Sequence, residues 1–199
     1  MKNKFKTFFF AALTALMAVS CDDDTSLPPY DKLPLSQDFS DGLDNTDLVT
    51  KGWLNYAEAG KAIWKIQIYS SNGYAEFSPY ASGDVSNIGW LVSPSFNLPE
   101  GHARKLRFDV SQSYVTSAAN KLEVFISKDF NGTDVKAATW IPLKAAIPGT
   151  SATYFAFMSS GNIDLSAYSG DLHIAYKVTG SGTNTALDGA YQIDNVTIQ

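Results

Sequence analysis

The 199-residue chain carries one cysteine and a net charge of −5. A single cysteine excludes an intrachain disulfide framework, and the acidic balance excludes the clustered lysines and arginines that a nucleic-acid backbone requires. The length suits a leader and one domain, which must be held by its hydrophobic core with, at most, a metal ion.

Lys2, Lys4 and Lys6 precede an apolar run, Phe8–Val19, broken only by Thr14. Its twelve residues fall short of the roughly 20 that a membrane-spanning helix needs. Residues 1–20 therefore read as a signal peptide. Ala18-Val19-Ser20 leads into Cys21, and a lone cysteine after small residues at the end of such a run resembles a bacterial lipobox. The resemblance implies cleavage before Cys21 and a diacylglyceryl thioether on its sulfur, although Ala18 stands where leucine is usual. Two or more acyl chains anchor stably where one is marginal. Asp22-Asp23-Asp24 resembles the surface-export signal of Bacteroidetes lipoproteins, which implies the outer face of the outer membrane. Removing the leader removes three lysines and no acids, so anionic headgroups are poor partners and the acyl chains do the anchoring. Residues 21–35, acidic and proline-bearing, read as a linker, and 36–199 as the domain.

Short strands then follow one another. Asp38-Phe39 is expected to begin the first and Trp53–Tyr56 to form the second. Trp64, Ile66 and Ile68 alternate with polar neighbours, Ser70–Gly73 reads as a turn, and Tyr74–Phe77 follows. In Ile88–Leu98, Trp90 and Val92 share one face and Leu91 takes the other, while Pro94 predicts an edge or a strand end. Leu106/Phe108/Val110, Leu122/Val124/Ile126 and Leu172/Ile174/Tyr176 are further period-two runs. Trp140–Leu143 and Gly161–Leu165 are shorter. In the last segment Tyr191 and Ile193 are apolar at odd positions, Val196 and Ile198 at even ones. That slip in phase predicts a β-bulge at Asp194-Asn195. No stretch sustains a helical period, so the fold class is all-β, an antiparallel β-sandwich with Trp53, Trp90 and Trp140 in its core.

Taken in order, Gly52-Trp53, Trp64, Trp90–Leu98, Leu106-Arg107-Phe108, Leu122–Ser127 with Asp129 and Gly132, Trp140, Ile163–Leu165, Ile174–Lys177 with Gly180, and Ile193–Val196 resemble choice-of-anchor J domains. These are Bacteroidetes surface modules related to cleaved adhesins, with a MAM-like, galactose-binding-type jelly roll. Tyr176 and Val178 depart conservatively from the family's usual aromatics. The resemblance implies a non-catalytic β-sandwich at the cell surface, adhesive or glycan-associated.

Catalytic constellations are not evident. His102 and His173 have no partners at metal-ligand spacing, and neither a Gly-x-Ser-x-Gly elbow nor a thiol nucleophile stands in the mature region. The resemblance further implies a structural Ca²⁺ where the first and last strands meet. Asp38, Asp109 and Asp194 are the carboxylates placed to supply it, with carbonyls freed by the bulge. Aromatics in loops or outward phase, Tyr69, Tyr74, Tyr80, Tyr154 and Phe155, are candidates for stacking on sugars, with Asn72, Asn87 and Gln112 to read hydroxyls. The expected function is binding of extracellular glycan. The alternative is a structural or adhesive module contacting envelope proteins, and a glycoside hydrolase ranks last.

Overall fold

The computed structural model describes residues 33–199, and the expectations for the signal peptide, Cys21 and the acidic run after it lie outside these residues. Among the described residues no helix forms, and the chain folds as two antiparallel sheets face to face. The larger sheet contains β1 (Leu35–Gln37), β2 (Thr46–Asp47), β4 (Lys65–Tyr69), β5 (Asn72–Phe77), β8 (Lys105–Ser113), β11 (Met158–Ser159), β12 (Ile163–Asp164) and β14 (Ala190–Ile198). Its order is β11-β8-β14-β5-β4-β2, with β1 on β14 and β12 on β8. The smaller sheet contains β3 (Leu54–Ala59), β6 (Asn87–Val92), β7 (Phe96–Leu98), β9 (Lys121–Ser127), β10 (Ile141–Leu143) and β13 (Gly170–Gly180). It runs β10-β9-β13-β6-β3, with β7 also on β13.

Period-two alternation fills the space between the sheets. Ile66, Ala75, Phe77, Phe108, Val110 and Ile193 point in from the larger sheet, and Leu91, Val124, Ile126, Ile174, Tyr176 and Val178 from the smaller. Phe108 meets Tyr176 edge to face at 5.1 Å, and Trp64 packs on Phe77 at 5.7 Å. Burial of this size drives the fold, at about 1.5–3 kcal/mol for each large apolar side chain.

Three expectations are corrected. Trp90 and Trp140 do not lie between the sheets. Trp90 faces outward from the smaller sheet in a separate cluster with Val92, Ala175, Phe130 and Val135, and half-buried Trp140 packs on it at 5.4 Å. The Trp90 Nε1–H donates to Glu58 Oε2 at 2.6 Å, and the Lys177 ammonium lies 4.8 Å from its ring centre. The strand end expected at Pro94 is present, with β6 stopping at Val92. The chain breaks there and resumes as β7 on the same partner, β13, while the Ser93 hydroxyl accepts the Ile174 N–H at 3.0 Å. The first strand is Leu35–Gln37 and not Asp38-Phe39; it is specified by pairing with Val196–Ile198, a partner remote in sequence. Phe39 instead sits buried at φ 54° just beyond it. Gly73 belongs to β5 and not to the turn, which is Ser70-Ser71 alone; an added Cβ at residue 73 would meet the Phe39 carbonyl oxygen at 2.6 Å.

The expected bulge is present. Asp194 pairs with Asp109 and Thr197 with Arg107, so β14 holds one residue more than β8 between those rungs, and Asn195 takes φ 50°. At this point β14 exchanges one neighbour for another, β5 along Tyr191–Ile193 and β1 along Val196–Ile198.

Candidate functional site

The outward face of the larger sheet carries the site. Ser111, Gln192 and Glu76 stand in register on β8, β14 and β5, opposite in phase to the core residues beside them. The Ser111 hydroxyl donates to Gln192 Oε1 at 2.7 Å. Gln192 Nε2 donates to Glu76 Oε2 at 2.9 Å and to Ser113 Oγ at 3.2 Å. Gln192 and Ser111 are fully buried although they lie on the outer face. A buried amide is held in one orientation when each of its polar atoms has a partner. Burial pushes the Glu76 carboxyl above the usual range, against the Gln192 hydrogen bond and the charge of Lys65, its cross-strand neighbour.

Aromatic side chains wall this floor at both ends. At one end Tyr69, Asn72, Tyr74, Phe155 and Phe157 line a hollow of about 510 Å³, with Tyr74 and Phe157 edge to face at 5.6 Å. At the other, Ser78, Tyr80, Tyr114, Thr116, Asp188 and Ala190 help to line one of about 530 Å³. Between them a more polar hollow of about 430 Å³ includes Lys65, Gln67, Glu76, Ser78 and Tyr80. Tyr114 packs on Tyr154 at 4.8 Å and on Phe155 at 6.3 Å, which joins the two ends along one wall. That wall follows β8, because the Phe155 N–H donates to the Gln112 carbonyl and β11 continues the pairing. Tyr114 and Phe155 both take φ 58°, a conformation that costs a bulky residue energy and that concentrates at working sites.

Tyr69, Asn72, Tyr74 and Phe155 are thus brought into one hollow, Tyr80 into the other, and Tyr154 onto the wall between them. Asn87 and Gln112 are not available to a ligand. Both are fully buried. Asn87 ties Ser82 and Ala62 together, and Gln112 holds the Gly149–Ala152 turn and the Val115 N–H. Sequence reasoning missed Phe157, Tyr114, Glu76, Gln192 and Ser111. The outward phase of the last three was readable against Phe77, Ile193 and Val110. That this face is furrowed and walled was not.

The three carboxylates expected to bind metal converge at the bulge. Asp109 and Asp194 are cross-strand partners, and Asp38 follows the residue paired with Val196. Asp194 is 3% exposed. Its carboxylate accepts from Asn72 Nδ2 at 2.9 Å and from the Asn195 N–H at 2.7 Å, while Asn195 Nδ2 also reaches Asp109 Oδ2 at 3.0 Å. Burial, and then the charges of Asp109 and Asp38, push the Asp194 carboxyl up, with the Asn72 and Asn195 hydrogen bonds opposing. The all-oxygen donor set suits a hard cation. The side chains are nevertheless cross-linked through amide N–H groups, and among the described residues no three acids or histidines stand in coordinating positions.

Fold and furrow together define a jelly-roll β-sandwich. The sequence matches no protein-family model and is similar to no curated protein. Its solved structural likenesses include cleaved-adhesin domains of Lys-gingipain. The K3 domain from Porphyromonas gingivalis W83 superposes with a TM-score of 0.54 at 17% identity, over 83% of this chain and 98% of that one. The K1 domain from the same organism gives 0.53 at 19% identity, over 83% and 96%. The K2 domain of Lys-gingipain gives 0.54 at 11% identity, over 83% and 97%. At these identities the likeness establishes a shared fold.

Proposed function

We propose that this chain is an exported, lipid-anchored jelly-roll module of the choice-of-anchor J kind. In this reading it binds extracellular polysaccharide through the furrow on the larger sheet and does not alter what it binds. One observation carries the proposal: a polar hollow bearing Lys65, Gln67 and Glu76 lies beside two aromatic-lined hollows, the pairing that reads sugar hydroxyls and stacks on sugar C–H faces. The leader and Cys21 place the module at the outer membrane, with the acidic run directing it to the outer face. A Ca²⁺ at the bulge would be held by Asp38, Asp109 and Asp194 only after displacing the Asn72 and Asn195 amide hydrogen bonds that now occupy the Asp194 and Asp109 oxygens. It would neutralise their mutual repulsion and fix the junction of β1, β5 and β14.

The test is a glycan array probed with the purified protein, alongside Tyr74→Ala and Phe157→Ala. Binding by the native chain that drops at least about tenfold in each variant is the expected result. A silent array overturns the reading. The second reading, a protein-contact module of the envelope, is favoured by the half-buried apolar residues Leu54, Tyr56, Ile88 and Phe125 around Trp90 on the smaller sheet. Loss of function on changing Tyr56 or Phe125, with Tyr74→Ala harmless, would establish it instead.

A further inference from the structure

The furrow runs with the strands. Tyr74 stands at one end, and Ser78, just past β5, stands at the other. At about 3.3 Å per residue these positions lie roughly 13 Å apart. Each end has its own aromatics, Tyr74 with Phe157 and Tyr80 with Tyr114, and the polar floor of Gln67 and Glu76 lies between. Two stacking stations set at different points along β5 suit different rings of one chain better than a single compact sugar.

The furrow's charge narrows the ligand further. Glu76 lies in the floor, Asp188 at one end, and Asp194 borders the other through Asn72. Lys61 and Lys65 stand on one side only, in the middle hollow, beside Asp47. An anionic group laid along this floor would be stripped of water against carboxylates, a like-charge juxtaposition that opposes binding.

We propose that the furrow takes an uncharged, linear polysaccharide lying parallel to β5 and β14, with separate sugar rings stacked at its two aromatic ends, and that it rejects uronate- and sulfate-bearing chains. This rests on the glycan-binding reading above. The experiment is affinity electrophoresis and calorimetry of the full chain in detergent against glucan, xylan and mannan. Each is paired with its carboxymethyl derivative and with a disaccharide of the same linkage. The expected result is binding to a neutral polymer, with the carboxymethyl form roughly tenfold weaker at low salt. Added salt narrows that gap, Glu76→Gln narrows it too, and Tyr74→Ala and Tyr80→Ala each weaken the neutral polymer. A carboxymethyl form that binds equally well overturns the charge inference while glycan binding stands. A disaccharide that binds as tightly as its polymer overturns the lengthwise placement. Silence from every polymer overturns the glycan reading and this inference with it.

Discussion

Gly89 shows how closely single positions are specified. It faces inward from β6, and a Cβ there would stand 1.9 Å from Phe77 Cε2. Phe77 packs in turn on Trp64, so the ring has little room to retreat. Gly89→Ala is therefore expected to cost about 1–3 kcal/mol, the usual penalty for overpacking, read as a lower denaturation midpoint with an unchanged slope. The neighbouring Trp90 marks what residue-level reading left open. Its alternation with Leu91 was plain in the sequence, but alternation defines two faces without saying which is internal. Leu91 went between the sheets, and Trp90 went under the Phe130–Trp140 segment, where Glu58 takes its indole N–H. Period-two patterning marks both as buried, and only the covering segment separates them.

At the level of elements, the β4–β5 hairpin turns on Ser70 and Ser71, with φ of 51° and 67°. Positive φ at both central positions is the geometry that favours asparagine followed by glycine, and serine is poorly suited to it. The double change Ser70→Asn, Ser71→Gly is expected to raise stability by about 0.5–1 kcal/mol, measured by chemical denaturation. The same hairpin carries Tyr69 and Asn72, so its geometry also positions one end of the furrow. The bulge at Asp194-Asn195 was legible as a slip in apolar phase, because an extra residue reverses which positions face the core. Strands β2 and β11 were not foreseen. Each is two residues long and is defined by its partner, Lys65-Ile66 or Asp109-Val110, and local sequence holds no record of that partner.

Across the whole molecule, the bulge draws three chain-distant carboxylates together, and this makes stability depend on pH. Asp194 is held above the usual carboxylate range by burial, then by Asp109 and Asp38, and Glu76 by burial. A carboxyl whose folded pKa exceeds its unfolded one binds protons more tightly in the native state. Stability then falls as pH rises through the window from the unfolded to the folded pKa, and the penalty is complete above it. Asp129 and Asp164 are held low by hydrogen bonds from Thr139 and Ser166 and act in the opposite sense, in the window below about pH 4. In EDTA, therefore, the melting temperature is expected to rise as pH is lowered from neutral toward the ordinary carboxylate range, and Asp194→Asn should flatten that slope. Calcium at neutral pH should raise the melting temperature of the native chain and not of the variant, by about 2.7 kcal/mol of stabilisation at a hundredfold excess over Kd. An identical melting curve with calcium and with EDTA would remove the metal from the proposal. Sequence alone determined the all-β class, the core alternation, the bulge and most of the aromatic candidates, because each is written in the period or composition of contiguous residues. Tertiary structure alone decided that Glu76, Ser111 and Gln192 join in one hydrogen-bonded row, that Tyr74 meets Phe157, and that Trp90 lies outside the space between the sheets. Those facts depend on which strands become neighbours and which face another segment covers, and both are fixed by contacts between residues far apart in the chain.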